Sequence, residues 1–550
     1  MTMFEKLRTA LILLLLPPIV GVKWSAVGAE ISLFRSPQDS LQRAIEEHHW
    51  AYQNLIAPHY EAPSLLALQY ATSLSSVETL FYSRRGAGIS PLAEGTSRSQ
   101  FQLNCTSLFH LDSLSSVWGR AAYTSSLAQN VQGRETAHYH LTAPYTSIDT
   151  IGGFFDGESY TFSGGYSHAF PSRWRWGVEG GYEAYQESRD RDPRVLNTSG
   201  DLTIKTGVSY KFPSYYLGLS LSGRIYKQVH QMSFMNPLGA QFVFNLLGFD
   251  EYSLRFLGNA EAKAFNAYGY GLEGELLPVE TKRVQRFFAT AKYHYLGSEF
   301  TLKNRNELRL AYLRQHQLNL IVSFLSTTPF GVWALSNRVG LERRFGDESV
   351  YGMQEGISYP LLSVESKNYR SLYVRDDLEG VFSFQSRRAL WELLPSVRFE
   401  LFQQERKSSG AFEQYSHLTP GISLRCRHAM DRQLRFALRA QVGLEHRFSL
   451  RDVLLFGPLP IDEFLHPFTK KLRSLAEMNH KIQVMNQTHI KTSLGGEYLL
   501  PSRQASLYAQ TSAALCYFGR RVTLYKLQVS LGLLFSLKIY PQGSRKGEIA

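Results

Sequence analysis

A chain of 550 residues that is 44% hydrophobic, 13% aromatic and 19% charged, with a mean hydropathy of -0.22, is too polar for a bundle of membrane helices. Beyond its first residues it has no apolar run of the roughly 18 residues that a spanning helix requires. The formal net charge of +12 would suit nucleic acid, anionic lipid or an anionic solute. Because the basic residues are scattered and no nucleic-acid motif is present, nucleic acid is excluded as a partner.

In chain order, residues 1–29 read as a secretory signal peptide: Lys6 and Arg8, an apolar core from Leu11 to Val20, then Val27 and Ala29 before a cut ahead of Glu30. Residues 30–63 form an N-terminal helical segment. Ser36 is its N-cap, Pro37 its first helical residue, Asp39 a capping-box acid and Pro58 its stop. Leu41, Ile45, His48, Tyr52 and Leu55 share one face of that helix, which would serve as a plug inside a barrel or as a periplasmic cap. His48 and His49 are adjacent and so face different ways, which makes them poor joint metal ligands.

Residues 64–540 carry strand patterning with no linker. Phe101, Leu103, Cys105 and Phe109 mark one strand, and Val117, Gly119, Ala121 and Tyr123 another. A loop is expected from Gln129 to Gly157. Its His138 and His140 have no third ligand at a diagnostic spacing, so no metal site is assigned. From Tyr160 to Tyr226 one pattern appears four times, most plainly where Trp174, Trp176, Val178, Tyr182 and Ala184 alternate with Arg173, Arg175, Glu179 and Glu183. Period-two alternation gives a sheet with an oily face and a wet face. The connections Pro171-Ser172 and Pro213-Ser214 are short, whereas Ser188 to Asn197 reads as a long charged loop. Short turns at one end and long polar loops at the other are what a transmembrane β-barrel needs.

His230 to Gly258 is expected to be a loop whose Phe234, Phe242, Phe244 and Phe249 either fold inward as pore-loop aromatics or pack on one another outside. A further exposed loop is expected over residues 346–370. Arg425, Arg427, Arg435, Arg439 and Arg447 fall on the polar face of neighbouring strands. This basic ladder would either favour anions or be neutralised by Glu400 and Glu445. Arg451 to His480, with a short helix from Lys470 to Met478, reads as a long external loop. The last strand sets Tyr525, Leu527, Val529, Leu531, Leu533 and Phe535 against Lys526, Gln528, Ser530, Gly532 and Ser536, a pattern suited to barrel-assembly machinery and to closure against the first strand. Residues 541–550 are a polar C-terminal tail. Cys105, Cys426 and Cys516 lie within apparent strands, too few and too far apart for a disulfide framework or a zinc site.

The fold expected is therefore all-β: a transmembrane antiparallel β-barrel of about 14 to 18 strands with a short N-terminal helical segment. The leader, the plug-like helix, the Pro-Ser turns and the amphipathic last strand resemble those of a Gram-negative outer-membrane barrel. Gly164-Gly165-Tyr166-Ser167-His168, with Asp192-Pro193-Arg194 and Asp201, is similar to an uncharacterised barrel family of the kind encoded near TonB-dependent receptors in gut and oral anaerobes. The resemblance spans most of the chain after the leader and implies a location in the outer membrane, with lipid, barrel-assembly machinery and a TonB-dependent receptor as partners. It transfers no site residue.

Two functions follow: a channel or transporter for small solutes, or an accessory barrel partnering an outer-membrane receptor. A membrane-embedded lipid enzyme is a weaker third, because Ser167 and His168 are strand neighbours on opposite faces and no Gly-x-Ser-x-Gly elbow occurs. No catalytic residue and no cofactor are assigned.

Overall fold

Period-two alternation becomes two environments once the strands close on themselves. The computed structural model describes residues 51–535 except positions 71, 87–89, 150, 237–242, 250, 254–261, 280–284, 306, 329–330, 357, 387–388, 431–435, 459–465, 501–504 and 519–520. The signal peptide, the start of the N-terminal helix, Phe242, Arg435 and the C-terminal tail fall outside the described residues.

Helix α1 (Ala51–Ile56) runs into a 3-10 turn at Ala57–His59, and the wall then begins with β1 (Leu74–Arg85), β2 (Ser97–His110) and β3 (Ser115–Val131). After α2 (Tyr139–Thr142) and the short β4 (Ser147–Ile148) come β5 (Gly153–Ala169), β6 (Trp174–Ser188), β7 (Arg194–Lys211) and β8 (Tyr215–Ser233). Two more short strands, β9 (Phe244–Gly248) and β10 (Glu251–Ser253), precede β11 (Lys263–Pro278), β12 (Gln285–Leu302), β13 (Leu308–Thr328), β14 (Gly331–Tyr351) and β15 (Leu361–Gln385). The last described elements are β16 (Ala389–Arg406), β17 (Phe412–Ala429), β18 (Phe436–Leu455), helix α3 (His466–Val484), β19 (Gln487–Leu499), β20 (Ala505–Phe518) and β21 (Arg521–Phe535).

Eighteen strands form one antiparallel sheet in which each pairs with its neighbours in sequence, and β1 pairs with β21 from Ser75↔Phe535 to Arg84↔Lys526. Closure leaves no edge strand exposed. The count lies at the top of the expected range. β4, β9 and β10 form a separate small sheet in the order β10-β9-β4.

The oily registers face outward. Trp174, Trp176 and Tyr182 on β6, Ile204 on β7, Leu219 and Leu221 on β8, and Leu494 on β19 all present their side chains outside the barrel. Ser209, Ser220, Gln228, Glu273 and Thr290 are enclosed within it. Such an apolar exterior on a closed barrel is stable only against lipid, so the protein is an outer-membrane β-barrel. No helix among the described residues is long and apolar enough to cross a membrane.

Three loop expectations need correction. Ser188 to Asn197 is half strand, with only residues 189–193 between β6 and β7, and Arg189 turns inward and is buried. Most of 346–370 belongs to β14 and β15, whose pairing continues through Glu348↔Glu365 and Ser349↔Val364. Those strand ends mix polar and apolar side chains on both faces, with Leu361 and Leu362 adjacent, and so lack the alternation that marks a lipid-facing strand. The helix expected from Lys470 to Met478 is longer, His466–Val484, and follows a β18 that reaches Leu455.

Candidate functional site

The turns that join β2 to β3, β5 to β6 and β7 to β8 lie at one end of the barrel and the longer connections at the other. At the short-turn end, residues 51–68 cross the lumen and touch opposite walls. Ala51 donates its backbone N–H to Glu392 on β16 at 3.1 Å, and Arg338 on β14 donates to the Asn54 carbonyl at 2.9 Å. On the other side Arg175 of β6 donates to the Ser64 carbonyl at 3.2 Å and Lys205 of β7 to the Glu61 carbonyl at 3.1 Å. Lys292 of β12 pairs with the Glu61 carboxylate. The wall is thinned where this plug passes. A Cβ on Gly177 would collide with the Pro63 backbone, and one on Gly218 would come within 2.7 Å of Leu65 Cδ1.

His59 is the centre of the plug and is fully buried. Its Nδ1 lies 2.7 Å from Thr290 Oγ1 and its Nε2 2.8 Å from Ser323 Oγ, while its ring stacks on Phe288. Burial, then the charges of Lys292 and Arg338, pull its pKa down to about 3, so the imidazole is neutral in the closed plug.

At the long-loop end the connections fold over the lumen as a cap with its own core. Ile148 of β4, Phe244 of β9, Tyr252 of β10 and Leu472 of α3 are buried together, with Phe468 and Leu475 against them. Arg189 Nη2 holds this cap from the wall, donating to Asp149 Oδ2 at 2.7 Å and to Glu135 Oε1 at 2.9 Å. Arg406 of β16 clamps it from the far side, donating to Glu348 at 2.6 Å, to Glu251 at 2.6 Å and to the Leu247 carbonyl at 3.0 Å. α3 is tied to the wall by Arg447, which donates to the Ile482 and Met485 carbonyls at its C-terminal end. Cations there complement the orphan carbonyls of a helix end.

Two of the pore-loop aromatics, Phe234 and Phe244, pack into apolar clusters of the cap. Phe244 is completely buried, 4.7 Å from Tyr252 and 5.6 Å from Phe468, and Phe234 packs beside Val243 and Phe155 in a second cap cluster. Phe249 is half-buried at a left-handed backbone position, φ 58°. The Phe234 and Phe244 rings help hold the cap together.

Of the basic ladder, Arg427 and Arg439 are directly opposite each other on β17 and β18 and share Glu497 of β19, at 3.4 and 2.5 Å. Arg425 faces Glu392 at 3.4 Å. The carboxylates expected to neutralise them are engaged elsewhere: Glu400 accepts from Tyr373 at 2.8 Å and Glu445 pairs with Lys491 at 2.5 Å. Sequence reasoning also missed Trp118, which lies on the lumen side of β3 and donates to Glu179 at 2.9 Å.

His138 and His140 do not converge on a ligand. His138 stacks on Tyr185 and meets the Tyr226 hydroxyl at 3.2 Å, and burial lowers its pKa to about 4. Among the described residues no group of three His, Cys, Asp or Glu side chains could hold a metal ion. Ser167 is enclosed on the lumen side of β5, whereas His168 stacks with Tyr166 and Phe170 on the outer side.

Between plug and cap a cavity of about 440 Å³ lies against β7, β8, β11, β12 and β13, roofed by Leu141 of α2. Arg224 and Asp201 pair along its wall on adjacent strands, with contacts of 2.5 and 2.9 Å, and Lys205 pairs with Glu273 at 2.6 Å.

Residues 63–535 match the model of a family of unknown function, DUF6850. The chain belongs to that family. No curated protein matches this DUF6850 barrel. Among solved structures, the ferric preacinetobactin receptor BauA from Acinetobacter baumannii is 7% identical with a TM-score of 0.40, the match covering 84% of this chain and 80% of that one. The siderophore receptor PirA from Acinetobacter baumannii is 7% identical with a TM-score of 0.37, covering 85% and 80%. A mutant of the ferric enterobactin receptor PfeA from Pseudomonas aeruginosa is 9% identical with a TM-score of 0.37, covering 84% and 80%.

Proposed function

We propose that this DUF6850 barrel is a gated outer-membrane transporter for small solutes. Its plug is residues 51–68, and its outer gate is the loop cap. The observation that carries the reading is the plug's own bonding: hydrogen bonds and an ion pair tie it at separate points to opposite walls, and apolar packing is confined to local contacts such as Leu66 against Leu108 and Trp118. A polar, segmented interface of that kind can be undone stepwise, whereas a hydrophobic one holds as a unit.

In this reading the short turns face the periplasm and the long connections face outward, as in outer-membrane barrels generally. Residues 1–29 direct export, and β21 is read by the barrel-assembly machinery. A TonB-dependent receptor remains the proposed protein partner if the barrel acts as an accessory. The role is non-enzymatic.

Single-channel recording in planar bilayers tests the gate. The full chain should be silent or nearly so. The triple variant Glu61→Ala, Lys292→Ala, Arg338→Ala, which cuts the plug's charged ties, should show steady ohmic steps. Silence from a variant shown to be folded by heat-modifiable migration would overturn the transporter reading and favour the accessory barrel.

A further inference from the structure

The cavity between plug and cap has a wall chemistry that selects for a kind of solute. Its ionised side chains come as two ion pairs of matched sign, Arg224 with Asp201 and Lys205 with Glu273, so the wall has no net charge from them. His294 adds a ring nitrogen 3.7 Å from Glu273. A solute carrying a fixed charge gains contact with one partner only by loosening it from the other, and an abandoned buried charge is costly.

A neutral solute need not break either pair. A carboxylate offers about four acceptor directions and a guanidinium five donors, and a two-contact pair uses only part of each. The Gln315 amide oxygen, buried and without a hydrogen-bond partner, also lines the cavity, beside Gln317, which donates to Glu342 at 2.7 Å. A buried acceptor left unmade is destabilising until something donates to it. Leu141 and Leu296 are the only aliphatic side chains among the described lining residues, with the rings of Tyr270 and Tyr295 beside them, and the other lining side chains are polar or charged.

We infer that this chamber is a binding site for a small, net-neutral, hydroxyl-rich solute, held by hydrogen bonds to the two preformed ion pairs and donating a hydroxyl to Gln315. The inference deepens the transporter reading and rests on it for the route by which the solute arrives. Hydroxyl groups donate and accept at once, so they match a wall on which donors and acceptors are interleaved. The cavity's size falls within the roughly 300–1,000 Å³ usual for small-molecule sites.

Isothermal titration calorimetry on the full chain and on the plug-loosened triple variant, with sucrose, glycylglycine, citrate and spermidine as probes, separates the possibilities. Sucrose should bind at least one of the two proteins saturably and about tenfold more tightly than any of the other three probes. Gln315→Leu, and separately the charge-balanced pair Asp201→Leu with Arg224→Met, should each weaken sucrose about tenfold. The inference is overturned if sucrose binds neither protein, if a charged or zwitterionic probe binds more tightly, or if sucrose binding survives both sets of substitutions. Because calorimetry does not require conduction, a silent but sucrose-binding chain would count against the gate and for the site. A conducting triple variant that ignores sucrose would do the reverse.

Discussion

His480 Nδ1 on the cap helix lies 2.6 Å from Glu413 Oε1 on the barrel wall. The other ring nitrogen is 2.7 Å from Asp452 Oδ1, so only an imidazolium can donate to both carboxylates. Burial opposes that charge, but the two hydrogen bonds outweigh it and hold the pKa above its ordinary 6.5. A raised pKa stabilises the folded arrangement fully below 6.5, and the contribution disappears as pH rises through the raised value. Burial and the neighbouring Asp149 push the Glu135 carboxyl up as well, which acts in the same direction. The cap should therefore loosen on the alkaline side, seen as amide protection factors in α3 that fall as pH rises above 6.5. His480→Gln should abolish most of that pH dependence.

His59 gives the plug the opposite response. Its folded pKa of about 3 lies below its ordinary 6.5, so the folded state binds fewer protons, and stability present above 6.5 is lost as pH falls towards 3. Plug opening should rise by at most about tenfold for each pH unit below 6.5. Channel activity that grows with acid in the full chain, and is flat in His59→Gln, checks it.

Gly177 leaves room for the plug at Pro63, where any side chain would strike plug backbone. Gly177→Val should unseat the plug while the barrel still folds, because the substitution adds a β-branched residue to a strand. The expected outcome is conduction with unchanged heat-modifiable migration.

Arg189 is the buried tie between wall and cap, with side-chain exposures of 1% for itself, 0% for Glu135 and 3% for Asp149. Arg189→Met would leave two carboxylates without their shared cation, a loss of about 3–5 kcal/mol for a buried pair. That loss should be local. Protease sensitivity should appear within 132–152 while the wall strands stay protected.

Glu497 is shared by Arg427 and Arg439. Glu497→Gln removes the charge that offsets two opposed arginines, so in a plug-opened background anion over cation permeability should increase severalfold. Reversal potentials in a salt gradient report it directly.

Alternation alone determined which face of nearly every wall strand meets lipid, because a strand has only two faces and a membrane tolerates only apolar side chains on one of them. Trp174, Ile204, Leu219 and Leu494 were legible in this way, as was the amphipathic β21 that pairs with β1 to complete the barrel. Where strands rise beyond the lipid that constraint vanishes, and Tyr351 and Leu361 mark strand ends in a stretch whose polarity reads as loop. Tertiary structure alone decided what fills the barrel. Which carboxylate meets Arg439, where the plug crosses, and whether Phe244 faces a solute or a cap core depend on stagger between strands and on contacts between residues hundreds of positions apart. A local pattern carries no trace of either, since the hydrogen bond from Arg338 to Asn54 exists only after eighteen strands have brought one end of the chain inside the ring made by the rest.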